Sequence, residues 1–205
     1  MTASTKNLTA ATAFNLPNQL TALRLALSVV LFVLMALELY FASLLVFLVA
    51  ASTDWVDGYL ARRYGLVTTL GRILDPFADK FIVCGTFILL AAAPAAPAAP
   101  TVPALHDFLP AWMVVVIVGR ELLVTALRSF LEQQGQDFSA AMSGKLKMVA
   151  QCLTIAVALF FLSYQPDSPP PEIGWLLIAS AWAAVLLTIY SGVAYVRTAV
   201  SLMNG

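Results

Sequence analysis

The sequence predicts an all-α integral membrane protein with six transmembrane helices and both termini in the cytoplasm. Three observations carry that expectation. Hydrophobic residues make up 61% of the 205-residue chain and charged residues 11%, against roughly 45–50% and about 25% in ordinary soluble domains. Six apolar runs follow one another, each near the roughly 20 residues that a helix needs to cross the hydrocarbon core. Finally, all eleven Lys and Arg residues fall on the segments that alternation places on one side of those runs, so the positive-inside rule is met without exception. This length holds one helical bundle and no soluble domain. Zero net charge gives no electrostatic reason to bind nucleic acid.

Residues 1–14 are polar, Thr-rich and poor in charge, and they lack the basic start, short apolar stretch and cleavage site of a signal peptide. They are expected to form a disordered tail, with the membrane domain occupying residues 15–205. The six spans run from Leu20 to Leu39, Phe41 to Leu60, Arg72 to Ala93, Phe108 to Leu131, Ser143 to Ser163 and Glu172 to Ala199. Between the third and fourth, the prolines of Ala91–Pro100 deny the chain a regular helix and mark a connector. The outer segments, near Glu38, across Ala91 to Pro110 and across Tyr164 to Glu172, hold no Lys or Arg. Seven acids accompany the eleven basic residues inside, which leaves an excess of four positive charges. Such a face suits anionic lipid headgroups and phosphorylated small molecules. No internal repeat divides the chain into the two similar halves of a transporter.

The inner ends of spans two and three concentrate charge. Asp54-Trp55-Val56-Asp57-Gly58-Tyr59-Leu60-Ala61-Arg62 is followed by Gly71, Asp75 and Asp79. On a helix, positions 54, 57, 58, 61 and 62 share one face. Positions 71, 75 and 79 advance by four, so Asp75 and Asp79 sit one turn apart on one face of the next span. Asp54 lies thirteen residues after Phe41, roughly 20 Å from the outer end of its helix. All four acids are thereby expected in the inner half of the membrane, on stripes that can face each other across a hairpin.

Four carboxylates packed closely in a low dielectric repel one another and protonate unless something positive holds them ionised. A single sodium ion or proton leaves most of that charge uncompensated, whereas two divalent cations neutralise it. Hard oxygen donors with no nearby His or Cys favour magnesium or manganese over zinc. A pair of such ions suits transfer at phosphorus, where negative charge gathers on the phosphoryl and departing oxygens. Gly58 and Ala61 let a bulky ligand approach the helix backbone, and Arg62 can clamp a phosphate.

The run D-x-x-D-G-x-x-A-R-x8-G-x3-D-x3-D, complete from Asp54 to Asp79, resembles the signature of the CDP-alcohol phosphatidyltransferases. That resemblance implies six transmembrane helices, a homodimer, a divalent-metal site at the cytoplasmic face of a bacterial inner membrane or its organellar equivalent, and release of CMP from CDP-diacylglycerol. It implies that Asp54, Asp57 and Asp75 are metal ligands and that Asp79 is both a ligand and the general base. Gly58, Arg62 and Thr68 would hold the CDP moiety, with Gly71 making room for it and Asn18 and Ala61 joining the same set. Asn15–Arg24, Gly119–Arg128 and Gly144–Lys147 look like the branch whose acceptor is sn-glycerol 3-phosphate and whose lipid product is phosphatidylglycerol phosphate. Arg120, Lys145 and Arg197 are then candidate partners for the acceptor phosphate. Inositol phosphate, or phosphatidylglycerol as in cardiolipin synthesis, remains an alternative acceptor.

Plainer roles compete for the same residues. A solvated helix end accounts for any one of the acids, but not for four in register with a glycine and an arginine. Arg63, Arg72 and Lys80 read as topology signals, while Lys145, Lys147 and Arg128 divide between topology and substrate binding. His106, beside Asp107, reads as a solvated loop residue, and Cys84 and Cys152 as small buried thiols. The tryptophans suit the bilayer interface or packing. The competing function is a cation transporter built on intramembrane aspartates, whose natural site would lie near the midplane at broken helices. The acids here lie closer to the inner surface, and no matched pair of Gly/Pro interruptions accompanies them.

Overall fold

The computed structural model describes residues 16–64, 69–93, 104–133, 142–164 and 169–204. Among the described residues every regular element is a helix: α1 (Leu16–Ala36), α2 (Tyr40–Tyr64), α3 (Thr69–Ala91), α4 (Leu105–Phe108), α5 (Ala111–Gln133), α6 (Met142–Leu162) and α7 (Pro171–Asn204). The expected tail, and the Pro-rich connector from residue 94 onward, lie outside the described residues. The chain divides into two compact units, residues 1–85 and 86–205, with the division inside α3.

In the first unit α1 and α2 form an antiparallel pair. Pro17 falls in the first turn of α1, where its fixed φ and missing N–H cost nothing. The helix ends in a Schellman turn: Leu39 N–H donates to the Leu34 carbonyl at 2.9 Å and Glu38 N–H to that of Met35 at 3.0 Å. Glu38 occupies the left-handed position, φ 58°, which a glycine fills at less cost. Buried positions on α1 are Thr21, Arg24, Ser28, Leu31 and Met35, alternating steps of three and four that make one seam. Tyr40, Leu44, Phe47 and Ala50 answer them from α2. On α3, Phe81 meets Phe32 edge-on with centroids 5.3 Å apart. A Cβ at Gly85 would lie 2.3 Å from Phe32 Cζ, so only glycine lets that ring seat.

The second unit packs α7 against both α5 and α6. Its long helix buries Leu177, Ala181, Ala184, Thr188, Ser191, Tyr195 and Ala199, again in steps of three and four. Several of these are small, which allows backbones to approach closely in an apolar environment. The short α4 covers one end of α6 and α7: Phe108 meets Phe161 with centroids 5.2 Å apart, and Gly174 leaves room for the Phe108 ring. Asp107 accepts the Ala104 N–H at 2.9 Å to close α4. His106 and Asp107 are exposed, but on the short helix α4 rather than in the expected loop.

Several helix ends differ from the sequence expectation by three to five residues, and one of these shifts has a clear cause. The fourth run was expected to begin at Phe108, but Phe108 belongs to α4 and the long helix begins at Ala111. Pro110 is the cause: it supplies no N–H and biases the preceding residue away from helical dihedrals. Leu109 accordingly adopts φ −129°, ψ 73°.

Among the described residues two helices, over Gly144–Leu162 and Pro171–Ser201, are long and apolar enough to cross a membrane, and the apolar stretches within α1 and α2, Thr21–Ala36 and Tyr40–Thr53, are shorter. Helices α3 and α5 are interrupted by charge, with Arg72, Asp75, Asp79 and Lys80 in the first and Arg120, Glu121, Arg128 and Glu132 in the second.

Candidate active site

The acid-rich stretch occupies the end of α2 and the start of α3. Asp54 and Asp57 lie ten and seven residues before the last residue of α2, or roughly 15 and 10 Å along the axis. Asp75 and Asp79 lie six and ten residues after the first residue of α3, roughly 9 and 15 Å in. The helical register thus places the acids at paired depths from the link that joins the two helices. Gly58, Ala61 and Arg62 fall within α2 and Gly71 within α3. The side chains of Asp54, Asp57, Arg62 and Asp75, like that of Asn18 on α1, lie outside the described residues, as does Thr68 altogether.

Asp79 is the motif acid whose side chain is described. Its Oδ1 accepts from Arg24 Nη1, with the Arg24 side chain only 3% exposed and Asp79 35% exposed. A buried guanidinium needs a counter-charge, and α1 places Arg24 within reach of this carboxylate. From sequence Arg24 counted only as one of the inner basic residues and as the end of an N-terminal pattern. A charged residue amid an apolar run was the available signal, since an intramembrane arginine needs a partner.

In the second unit a polar cluster joins α5, α6 and α7. Glu121 Oε1 accepts from Lys147 Nζ and at 3.4 Å from Gln151 Nε2. Gln151 Nε2 also donates to Thr188 Oγ1 at 3.1 Å. Glu121, Lys147, Gln151 and Thr188 are all buried. Lys147 is therefore tied into the bundle by an ion pair with Glu121.

Arg120, one residue earlier on α5, lies beside this cluster. Its Cζ stands 5.3 Å from the centroid of the buried Tyr195 ring, and its Nη1 is 3.4 Å from Glu121 Oε1. Lys145 and Arg197, the other two candidates for the acceptor phosphate, are exposed. Tyr195 links the neighbourhoods of all three: its hydroxyl lies 3.9 Å from where a Cβ would stand on Gly144, next to Lys145, and Arg197 follows half a turn later on α7. Arg120 is thus seated in the interior while the other two cations are presented at the surface. The sequence missed Glu121, Gln151, Thr188 and Tyr195. Glu121 alone carried a signal, as an acid that an apolar helix cannot bury unpaired.

The donor chemistry of the acid-rich stretch fits hard divalent cations: four aspartates at paired depths, with no Cys or His between Asp54 and Asp79. Aspartates at this spacing on consecutive helices, with every described element helical, suit a metal-assisted transferase acting on phosphoesters. The chain belongs to the CDP-alcohol phosphatidyltransferase family, whose model matches residues 14–190. That family is membrane-embedded and generally uses divalent metals. The chain is 36% identical over 198 residues to the CDP-diacylglycerol–glycerol-3-phosphate 3-phosphatidyltransferase of Bacillus subtilis (strain 168), covering 89% of this chain and 93% of that one. It is 34% identical over 191 residues to the protein of the same name from Escherichia coli (strain K12), with 91% and 95% covered. With that of Pectobacterium atrosepticum it shares 33% over 195 residues.

Proposed function

We propose that this chain transfers the phosphatidyl group of CDP-diacylglycerol to sn-glycerol 3-phosphate, giving phosphatidylglycerol phosphate and CMP. The observation that carries this reading is the 33–36% identity, over about nine-tenths of the chain, to enzymes named for that reaction. The complete Asp54–Asp79 motif supports the same chemistry.

In this reading Asp54, Asp57, Asp75 and Asp79 hold two divalent cations, magnesium or manganese. Those ions would supply Lewis-acid stabilisation of the charge that gathers on the pyrophosphate oxygens. The chain's own groups do the rest. Arg62, with Asn18, Gly58, Ala61, Thr68 and Gly71, binds the CDP moiety, the arginine through charge-assisted hydrogen bonds to phosphate. Arg120, Lys145 and Arg197 hold the acceptor phosphate. Asp79 takes the proton of the acceptor 1-hydroxyl as its oxygen bonds to the phosphatidyl phosphorus, and the pyrophosphate bond breaks with its electron pair leaving on CMP. Arg24 pairs with Asp79 and fixes the position of that carboxylate.

The same reading sets the chain in the membrane as six spans with both termini and the acid motif on the cytoplasmic side. All eleven Lys and Arg residues then lie inside. A homodimer is carried over from the family resemblance. The test is to incubate detergent-solubilised protein with CDP-diacylglycerol and, separately, glycerol 3-phosphate, inositol 1-phosphate, serine and phosphatidylglycerol, and to identify the lipid product by mass. Phosphatidylglycerol phosphate as the dominant product is expected. A dominant product from another acceptor would move the chain to another branch of the family, and no CMP release with any acceptor would overturn the reading.

A further inference from the structure

Arg120 is held in a way that leaves one particular edge of its guanidinium unused. One face lies over Tyr195, with Cζ 5.3 Å from the ring centroid, and Nη1 is the atom turned to Glu121. Glu121 is itself fixed by Lys147 and Gln151, so it cannot follow Arg120 if the arginine swings away. The side chain is only 10% exposed, yet its buried Nε makes no hydrogen bond among the described residues. A buried N–H donor without an acceptor costs free energy, and the Nε–Nη2 edge is one of those through which arginine grips a phosphate with two parallel hydrogen bonds. The side of the side chain that carries Nε is bordered by Gly192, where an added Cβ would stand 3.1 Å from Arg120 Cγ and 3.9 Å from Nε.

We propose that Tyr195 and Gly192 are positioning residues for Arg120: the ring supports one face of the guanidinium, and the missing side chain at 192 keeps its Nε edge clear for a phosphate monoester. This rests on the reading of Arg120 as a partner of the acceptor phosphate and extends it to two residues that never touch the substrate. Cation–π attraction favours the stacked pose, and the anchored Glu121 fixes the rotation about the stack. The remaining edge is then set before the acceptor arrives, so less conformational freedom is lost on binding.

The experiment measures steady-state kinetics of the full-length protein in detergent with both substrates varied. Gly192→Ala and Tyr195→Leu should each raise the KM for glycerol 3-phosphate about fivefold or more, with kcat and the KM for CDP-diacylglycerol changed less than about twofold. Tyr195→Phe, which keeps the ring, should restore the acceptor KM to within about twofold. In an Arg120→Ala background Gly192→Ala should add nothing further, because its effect runs through the arginine. Gly192→Ala displaces the Arg120 stem by only a few tenths of an ångström, so it carries the test even if Tyr195→Leu folds poorly. An acceptor KM unmoved by Gly192→Ala while Arg120→Ala raises it would overturn the positioning roles and leave the acceptor site standing. An acceptor KM unmoved by Arg120→Ala itself would overturn both. A Gly192→Ala effect of equal size with and without Arg120 would show that residue 192 acts by another route and would also overturn the proposal.

Discussion

The two units of the molecule treat buried charge in opposite senses. In the first, the α2–α3 stretch gathers aspartates, and the described counter-charge is a buried arginine, Arg24, brought to Asp79 from α1. In the second, α5, α6 and α7 gather cations, and the counter-charge is a buried glutamate, Glu121, held between Lys147 and Arg120. The partner's exposure also differs. Asp79 is 35% exposed beside its arginine, open to other ligands, while Lys147 is only 8% exposed beside its glutamate. One pair leaves its carboxylate partly open, and the other is sealed between α5 and α6. The lesson is that an ion pair in an apolar bundle must be read by what else can reach it.

The largest expected effect probes the acid-rich unit. If its carboxylates share divalent cations, excess EDTA should lower CMP release at least about a thousandfold, since a Lewis acid contributes several kcal/mol and about 1.4 kcal/mol is tenfold in rate. Added magnesium or manganese should restore it, and undiminished turnover in chelator would refute a metal-dependent site.

Next comes Asp79→Asn. A general base contributes roughly a hundredfold to ten-thousandfold, so kcat should fall by about a thousandfold while binding of CDP-diacylglycerol, measured by titration, changes little. Lost binding with normal turnover at saturation would remove the proton-transfer role.

The second unit should answer in stability. Glu121→Ala leaves Lys147 buried without its carboxylate, and breaking such a pair costs about 3–5 kcal/mol. The thermal midpoint in detergent should drop by about 10 °C, at roughly 2–4 °C per kcal/mol for a chain of this size. Replacing both residues with methionine should recover most of the loss, because the unpaired charge goes with the pair. If Glu121→Ala left the midpoint unchanged, the pair would not be the lock described.

The smallest effect is local. Glu38 holds a left-handed conformation, φ 58°, which costs a non-glycine residue roughly 1–2 kcal/mol. Glu38→Gly should raise the midpoint by about 2–4 °C and leave both KM values alone. A lowered midpoint would mean that the carboxylate has a structural partner.

The helices were legible in the sequence because a bilayer-length apolar run needs no knowledge of what it packs against. Their ends were less so: Pro110 moved the start of α5 from Phe108 to Ala111, because a two-residue break is invisible to average hydropathy. The acid stripe was legible because its spacing is a property of one helix and then the next. Arg24, Glu121 and Tyr195 were not, since each acquires its role from a residue 26 to 75 positions away: Asp79 for Arg24, Lys147 for Glu121 and Arg120 for Tyr195. Sequence displays the charges in excess, and only the packed structure displays what answers them.

The division of labour between the two units is tested most directly by a crossed comparison of Arg62→Ala and Arg120→Ala, with KM measured for both substrates in each variant. Arg62 belongs to the acid-rich stretch and is assigned to the CDP moiety; Arg120 belongs to the cationic unit and is assigned to the acceptor phosphate. Arg62→Ala should raise the KM for CDP-diacylglycerol at least about tenfold and leave that for glycerol 3-phosphate within about twofold, and Arg120→Ala should do the reverse, each lost phosphate contact being worth about 1.5–3 kcal/mol. Equal shifts for both substrates in either variant would contradict the account.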